Sequence, residues 1–232
     1  RGQRVAYLAQ SAAATFNPAL TIGEQVTESC VLHGILNQEQ ANERAETLYR
    51  ALELPDPDRL GRRYPHQVSG GQLQRLMAAM ALCGKPDLLV LDEPTTALDV
   101  TIQAQILKLI KQLQKNRDVA VIFISHDLGV ISQVSDEICV MYLGRIVEQG
   151  TTKDIISNPQ HPYTKALLAA LPRLDNVNAT LEPIKGDIPS PLERPSGCVF
   201  HPRCPLAVDS CRTSVPEFRE LTSGHRVACT EV

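Results

Sequence analysis

The sequence lacks three features that would each point to a class of function. Its 232 residues include 23 Lys and Arg against 26 Asp and Glu, a net charge of −3, so no positive excess indicates nucleic acid or an anionic membrane surface as a partner. No stretch approaches the roughly 18–20 apolar residues of a membrane span. The first residues, Arg1-Gly2-Gln3-Arg4, do not form a signal peptide. What remains is a globular chain, 43% hydrophobic, that is long enough to bury a core.

The start of the sequence also lacks an initiator Met. Residues 5–8, Val-Ala-Tyr-Leu, are typical of a strand that is entered at once. We therefore expect the sequence to begin inside a domain.

Short apolar runs alternate along the chain with segments of helical spacing. Helices are predicted over 21–36, 38–54, 72–83, 101–115, 152–157 and 163–171. Strands are predicted over 5–9, 88–91 and 119–124, of which the last two are expected to be fully buried. An antiparallel pair of strands is predicted within 137–149, at the edge of the sheet. In the helix over 72–83, the spacing of Leu73, Leu76, Met77 and Met80 predicts a single apolar face. This alternation predicts an α/β fold with a mostly parallel sheet.

The composition changes at Pro172, after which prolines are frequent and periodicity is weak. We expect a boundary there, between a domain over 1–171 and a proline-rich arm with a cysteine-rich extension over 172–232.

Three groups of residues are candidates for chemistry. Ser69-Gly70-Gly71 opens a predicted helix, whose unpaired N–H groups and dipole favour an anion, although a serine there is also an ordinary N-cap. Asp92 and Glu93 follow a buried strand, where they could hold Mg²⁺ and orient a water molecule or be two solvated carboxylates. Gln10 and His126 also follow predicted strands, as further ligands or as structural residues.

Three motifs, in this order and spacing, resemble the ATP-binding subunits of ABC transporters. They are V-S-G-G-Q-L-Q-R over 68–75, L-L-V-L-D-E-P-T-T-A-L-D over 88–99 and I-F-I-S-H-D-L over 122–128. The resemblance implies a P-loop NTPase core with a helical subdomain at about 20–83, which uses ATP and Mg²⁺. It also implies the following roles: Ser69, Gly70, Gly71 and Gln72 as the signature that contacts a partner's ATP, Asp92 and Gln10 as Mg²⁺ and ATP ligands, Glu93 and His126 as catalytic residues, and Asp99 in the D-loop.

The phosphate-gripping loop of this family, G-x-x-x-x-G-K-[ST], is absent from the sequence. Gly84-Lys85 does not supply it, because Pro86 follows where Ser or Thr must bind Mg²⁺. Since the family's P-loop precedes the position of Gln10, we expect that segment to lie before Arg1, which makes the core over 1–171 a partial one and residues 1–232 alone inactive. A paralogue that has lost the loop is the alternative.

The second half of the sequence resembles the oligopeptide, dipeptide and nickel branch of the family. The segments are H-P-Y-T-K-A-L-L over 161–168, G-D-I-P-S-P over 186–191 and G-C-V-F-H-P-R-C over 197–204. The branch implies import, a second ATPase subunit, two membrane permeases, an extracytoplasmic solute-binding protein and a peripheral place on the cytoplasmic face of the cell membrane. Ser11-Ala12-Ala13-Ala14 departs from the branch's usual loop and leaves the substrate open. The alternatives are an ABC ATPase of translation or DNA repair, and a non-catalytic module that binds metal or aids assembly.

Four of the seven cysteines lie in the last 35 residues with the spacing C-x5-C-x6-C-x17-C. They are Cys198, Cys204, Cys211 and Cys229. A secreted protein would pair them as disulfides, but a cytosolic ATPase is in a reducing compartment, where four thiolates suit a [4Fe–4S] cluster or a structural zinc ion. His201 or His225 could replace one cysteine in a zinc site, and unliganded thiols are the third interpretation.

Overall fold

The computed structural model describes residues 4–10, 12–95, 100–117, 119–171, 183–190 and 192–232. The chain divides into two compact units, Arg1–Val130 and Ile131–Val232. Pro172 lies outside the described residues, so the boundary predicted there stays a prediction. Within the described ranges, no helix is long and apolar enough to cross a membrane.

The first unit combines a parallel sheet with helices. The strands β1 (Val5–Leu8), β2 (Leu88–Asp92) and β3 (Ala120–Ile124) pair in the order β1-β2-β3, and both pairs are parallel. The helices are α1 (Ala12–Thr15), α2 (Ile22–Leu32), α3 (Gln38–Ala51), α4 (Pro57–Leu60), α5 (Gly70–Cys83) and α6 (Val100–Arg117), and α7 (Leu128–Val134) contains the division point. The predicted α/β class with a parallel sheet is confirmed, whereas α1, α4 and α7 were not predicted.

Local capping explains where the helices begin. The side chains of Thr21, Asn37 and Ser69 each accept a hydrogen bond from the backbone N–H three residues later. The side chain of that later residue accepts one from the backbone N–H of the cap, so α2, α3 and α5 all start with a capping box. Two helices end earlier than predicted. The backbone takes left-handed φ values at Gly34 (65°) and Glu53 (51°), so α2 ends at Leu32 and α3 ends at Ala51.

Helix α5 packs against both α2 and α3, and this arrangement buries more of it than one face. The prediction of a single apolar stripe was too narrow, because Gln74, Ala78 and Leu82 are also buried while Leu73 and Met80 are only half-buried. The core of the first unit includes Ile22, Val26, Leu48, Tyr49, Leu76 and Met77.

One face of the parallel sheet is exposed among the described residues. Ile122 and Ile124 are 50% and 46% exposed, and Val5 and Tyr7 on the same face are 41% and 56% exposed. The prediction of strands buried on both faces is therefore wrong for β3, and it holds only in part for β2, where Leu88 and Val90 are half-buried. The side chains of β3 alternate because described residues cover only the opposite face of the sheet.

The second unit is built on an antiparallel sheet of its own. The strands β4 (Glu137–Tyr142), β5 (Arg145–Thr151), β6 (Arg219–Thr222) and β7 (His225–Val227) are arranged β4-β5-β7-β6. The β4–β5 hairpin was predicted, and its turn at Leu143-Gly144 has the two positive φ values that a tight hairpin needs. Its predicted place at the edge of the parallel sheet is wrong.

The cysteine-rich tail belongs to this second sheet. Strand β7 pairs with β5, so that Val227 lies opposite Glu148 and Arg226 opposite Gln149. Helices α8 (Thr152–Ser157), α9 (Pro162–Ala169) and α10 (Asp209–Thr213) complete the unit. The rings of Tyr142, Tyr163 and Phe200 pack together in its core, with centroids 4.8–5.3 Å apart.

Candidate active site

The candidate residues of the first unit meet at the carboxyl ends of the parallel strands. Asp92 is the last residue of β2 and lies opposite Ile124, the last residue of β3. Gln10 and His126 each lie two residues beyond the end of their own strand. Because parallel strands end at one edge of a sheet, side chains that are distant in sequence become neighbours, as expected for a ligand site of an open α/β sheet.

Glu93 is at the centre of this group. Its carboxylate oxygen Oε2 accepts a hydrogen bond from Gln10 Nε2 at 2.9 Å, and Oε1 lies 3.0 Å from His126 Nδ1. The side chain of Glu93 is 22% exposed and that of His126 is 73% exposed. The carboxylate is thus oriented from two sides while its imidazole partner can reach a ligand in solvent.

The backbone of Glu93 is also held in an unusual conformation. Its φ is 48°, in the left-handed region that a non-glycine residue rarely adopts. Its N–H donates to the carbonyl of Ile124 at 2.9 Å, which ties it to β3. Such a conformation persists where the surrounding structure fixes it, and it is concentrated at functional sites.

Asp92 is the second carboxylate of the group. Its Oδ2 accepts a hydrogen bond from the hydroxyl of Tyr7, on β1, at 2.8 Å. Carboxylate and amide oxygens are the ligands that Mg²⁺ takes from proteins, usually one or two beside substrate phosphates and water. Asp92 and Gln10 fit that sparse donor set. Among the described residues, no group of three or more His, Cys, Asp or Glu side chains could hold a metal ion by itself.

The glycine-rich segment forms the N-terminus of α5. Ser69 Oγ accepts from the N–H of Gln72 at 3.3 Å, and Gln72 Oε1 accepts from the N–H of Ser69 at 2.9 Å. A methyl group added to Gly70 or Gly71 would meet no atom of the described structure within 4 Å. Packing inside the unit therefore does not require glycine at these positions. Close approach of an anion to the first turn of the helix would require it, because a side chain there would keep the anion away from the backbone.

Two residues that contact Asp92 or the backbone directly after Glu93 were not predicted. Gln74 on α5 donates to the carbonyl of Pro94 at 3.0 Å, and Tyr7 contacts Asp92 as described. The burial of Gln74 was detectable, because it lies four and eight residues before Ala78 and Leu82 on one side of the helix. Asp99, predicted for the D-loop, lies outside the described residues.

The four C-terminal cysteines are neighbours in the second unit. The N–H of Cys198 donates to the carbonyl of Cys211 at 2.8 Å. Burial raises the pKa of the Cys198, Cys204 and Cys229 thiols, and repulsion from other thiolates of the set raises these pKa values further. The thiols are close enough to interact electrostatically, but they do not form the tight group that a single metal ion would need.

The two histidines predicted as substitute ligands are engaged elsewhere. His225 is 2% exposed, and its Nε2 lies 2.8 Å from Oε1 of the fully buried Glu148. The Nδ1 of His201 lies 3.0 Å from the carbonyl of Cys198. Glu148 takes up Nε2 of His225, which leaves only Nδ1 for a metal ion, so the replacement of a cysteine by His225 stays a prediction.

Comparison with known proteins shows which family the sequence is similar to. A model of the ABC transporter family matches residues 1–96, and a model of the oligopeptide/dipeptide transporter C-terminal region matches residues 147–211. A putative peptide import ATP-binding protein of Brucella ovis is 46% identical over 98% of this chain and 71% of its own length. The dipeptide transport ATP-binding protein DppD of Bacillus subtilis is 45% identical over 99% of this chain and 68% of its own length.

Solved structures give the same fold. A dimeric ATP-binding cassette in a post-hydrolysis state, bound to ADP and phosphate, matches with a TM-score of 0.59 and 27% identity. The match covers 66% of this chain and 64% of that one. The predicted P-loop NTPase core is therefore confirmed as the fold class.

Proposed function

Because the chain belongs to the ABC transporter family, in the branch of peptide import ATP-binding proteins, we propose that it hydrolyses ATP to drive peptide import through a membrane transporter. The contacts of Glu93 with Gln10 and His126, beside Asp92, support this proposal most directly. An oriented carboxylate beside a residue suited to Mg²⁺ is what phosphoryl transfer to water requires.

Each residue has a distinct part in this proposal. Glu93 orients the attacking water and accepts its proton, while His126 holds Glu93 and contacts the γ-phosphate. Asp92 and Gln10 would hold Mg²⁺, which neutralises charge on the phosphates when it is bound. Asp99, in the D-loop, would lie at the interface with the second ATPase subunit.

The signature would serve a different nucleotide. Ser69, Gly70, Gly71 and Gln72 would contact ATP held by a second ATPase subunit, since their N–H groups and bare glycine backbone suit a phosphate. Two such subunits would then close head to tail around two nucleotides. The wider assembly would comprise two permeases and an extracytoplasmic solute-binding protein, with this subunit peripheral on the cytoplasmic face of the membrane.

Substitution of Glu93 tests the catalytic proposal. In the native transporter, with the partner subunit's own site inactivated, Glu93→Gln should lower ATP turnover by about 10²-fold or more, because an amide cannot accept the proton. ATP affinity and assembly should be retained. Glu137→Gln, at an exposed position on β4, is the matched control and should turn over normally. Normal turnover by the Glu93 variant would refute the role.

Transport is distinguished from the other activities of ABC ATPases by the partners. The relatives are named for peptide import, which favours transport over translation or DNA repair. Purification of the tagged native subunit should recover two membrane permeases, and uptake of labelled dipeptides and longer peptides should depend on Glu93. Recovery of ribosomes or DNA instead would overturn the transport proposal, and uptake of nickel alone would overturn the peptide substrate.

The cysteine cluster supports a second, separate proposal, a [4Fe–4S] cluster held by Cys198, Cys204, Cys211 and Cys229. The spacing C-x5-C-x6-C-x17-C lacks the paired C-x2-C that is typical of zinc ribbons, and four thiolates suit a [4Fe–4S] cluster. Bound iron would also lower the raised pKa values of the thiols by stabilising their anionic form.

Metal analysis of protein purified without oxygen tests this assignment. Equal amounts of iron and acid-labile sulfide, lost in Cys211→Ser and retained in the control Cys139→Ser, would support the cluster. One zinc ion per chain would replace it with the zinc alternative, and four freely alkylated thiols would refute any metal at this place.

A further inference from the structure

Gln74 is a polar side chain in an apolar part of the first unit. It lies on α5, five residues after Ser69, and it is 6% exposed. The surrounding side chains are aliphatic: Leu8, Ala78, Leu82, Leu89, Leu91 and Ile106. A buried amide in such surroundings is costly unless it is hydrogen-bonded, so the partner of Gln74 matters.

That partner is the backbone directly after Glu93. The Nε2 of Gln74 donates to the carbonyl of the buried Pro94 at 3.0 Å. A buried carbonyl needs a donor, and a hydrogen bond shielded from water is stronger than an exposed one. Gln74 therefore fixes the residue that immediately follows Glu93.

This position matters because the backbone of Glu93 is in a rarely adopted conformation. Its left-handed φ of 48° must be held from both sides. The N–H of Glu93 is tied to Ile124 on β3, and the next residue is tied to Gln74 on α5. Loss of the second tie would free the Pro94–Thr95 peptide, so that the turn after Glu93 could shift and misalign the carboxylate with Gln10 and His126.

We propose that Gln74 is a positioning residue for hydrolysis, which holds Glu93 in its active orientation through the carbonyl of Pro94. This inference rests on the proposed ATPase function. It assigns Gln74 a role different from that of the signature residues on the same helix: Gln74 serves the nucleotide at this chain's own site, whereas Ser69 to Gln72 serve the partner's.

The first experiment replaces Gln74 by Met, which has a similar shape and no donor. In the native transporter, with the partner subunit's own site inactivated, Gln74→Met should lower kcat by about 10-fold to 100-fold, the scale of loss for a reacting group misplaced by a substitution outside the chemistry. KM for ATP should stay within about twofold, because only the alignment of Glu93 changes. An unchanged kcat would overturn the proposal.

A control variant separates positioning from stability. Leu82→Val removes a methylene from the same apolar region without removing a donor. At a temperature where thermal unfolding shows both variants to be folded, Leu82→Val should keep kcat near the wild-type value. An equal loss of kcat in the two variants would show that packing, and not the hydrogen bond, is responsible, and would overturn the proposal.

A second experiment tests whether Gln74 acts on the nucleotide site of its own chain or, through the signature, on the partner's site. With the partner subunit's own site intact, this chain carries Glu93→Gln either alone or together with Gln74→Met. The remaining hydrolysis then uses this chain's signature and not its Glu93, so the added substitution should cause no further loss. A further loss of 10-fold or more would mean that Gln74 acts through the signature, and would refute the inference. If Glu93→Gln by itself has no effect at its own site, the proposed ATPase function fails instead.

Discussion

His161 allows a quantitative prediction for the second unit. It is the N-cap of α9, where its Nδ1 accepts a hydrogen bond from the N–H of Tyr163 at 3.1 Å. The side chain is 1% exposed, and its ring packs against Phe200 with centroids 5.9 Å apart. Burial lowers the pKa of His161 to about 4, although the nearby carboxylate of Glu148 opposes the shift. The folded chain therefore holds this ring neutral, as its role as an acceptor requires.

The sign of the pH dependence follows from this shift. The unfolded chain binds a proton near pH 6.5, the ordinary pKa of histidine, whereas the folded chain binds it only near pH 4. The stability that depends on neutral His161 is present above pH 6.5 and is lost as the pH falls towards 4. Between pH 7 and pH 5 the loss in the free energy of unfolding is about 2 kcal/mol by linkage.

His161→Asn separates this titration from the cap. Asparagine is among the best N-cap residues and does not titrate, so the variant keeps an acceptor for Tyr163. It should be less stable than wild type at pH 7, because the contact with Phe200 is lost. Its stability should nevertheless fall by about 2 kcal/mol less than that of wild type between pH 7 and pH 5.

Hydrogen exchange measured by mass spectrometry on peptides over 147–169 is a suitable assay, after correction for the pH dependence of intrinsic exchange. The other titratable groups of the unit, including Glu148 and His225, are common to both proteins, so the difference in slope isolates His161. His66→Asn, at an exposed position in the first unit, is the control and should match the wild-type slope. A wild-type slope in His161→Asn would refute the reasoning.

Two further predictions concern an anchoring arginine and the thiols. The guanidinium of Arg203 donates to the carbonyl of Ile184 at 2.9 Å and to the hydroxyl of Tyr142 at 3.3 Å. Arg203→Met should therefore raise the rate of protease cleavage within 183–190 at least 10-fold, because the loss of these bonds costs about 1.5–3 kcal/mol. An unchanged cleavage rate would contradict this anchor. Burial raises the pKa of Cys83 to about 12, whereas Cys139 is exposed. Iodoacetamide at pH 8 should therefore modify Cys139 in the native chain and Cys83 only after unfolding, because the thiolate is the reactive form; equal rates in peptide mass spectrometry would contradict the burial of Cys83.

The parts of the fold that were predictable depend on neighbours in sequence. The capping residues Thr21, Asn37 and Ser69 are bonded three residues away, so the starts of α2, α3 and α5 could be placed to within two residues. The hairpin turn at Leu143-Gly144 is similarly local. For the site, strand order placed Gln10, Asp92, Glu93 and His126 at one edge of a sheet, and the structure brings Gln10 and His126 into contact with Glu93.

The parts that were missed depend on distant contacts. Strands β6 and β7 have only four and three residues, and β7 is a strand because it pairs with β5, almost eighty residues earlier. The buried pair of His225 and Glu148 follows from that pairing, and no residue near His225 in the sequence indicates it. Likewise, the apolar sequence of β3 could not show that one of its faces is open among the described residues.

Helix α5 would combine two of the proposed roles because its end and its side face different groups. The N–H groups of the first turn point along the helix axis, where Gly70 and Gly71 leave room for an anion, whereas Gln74 in the next turn points sideways to the carbonyl of Pro94. A shift of α5 along its axis by about 2 Å would lengthen this sideways 3.0 Å bond to about 3.6 Å, beyond hydrogen-bonding distance. The backbone that carries Glu93 must therefore follow α5 or lose its support. Since the same helix would contact the partner's nucleotide, the orientation of Glu93 would then depend on how firmly that nucleotide holds α5.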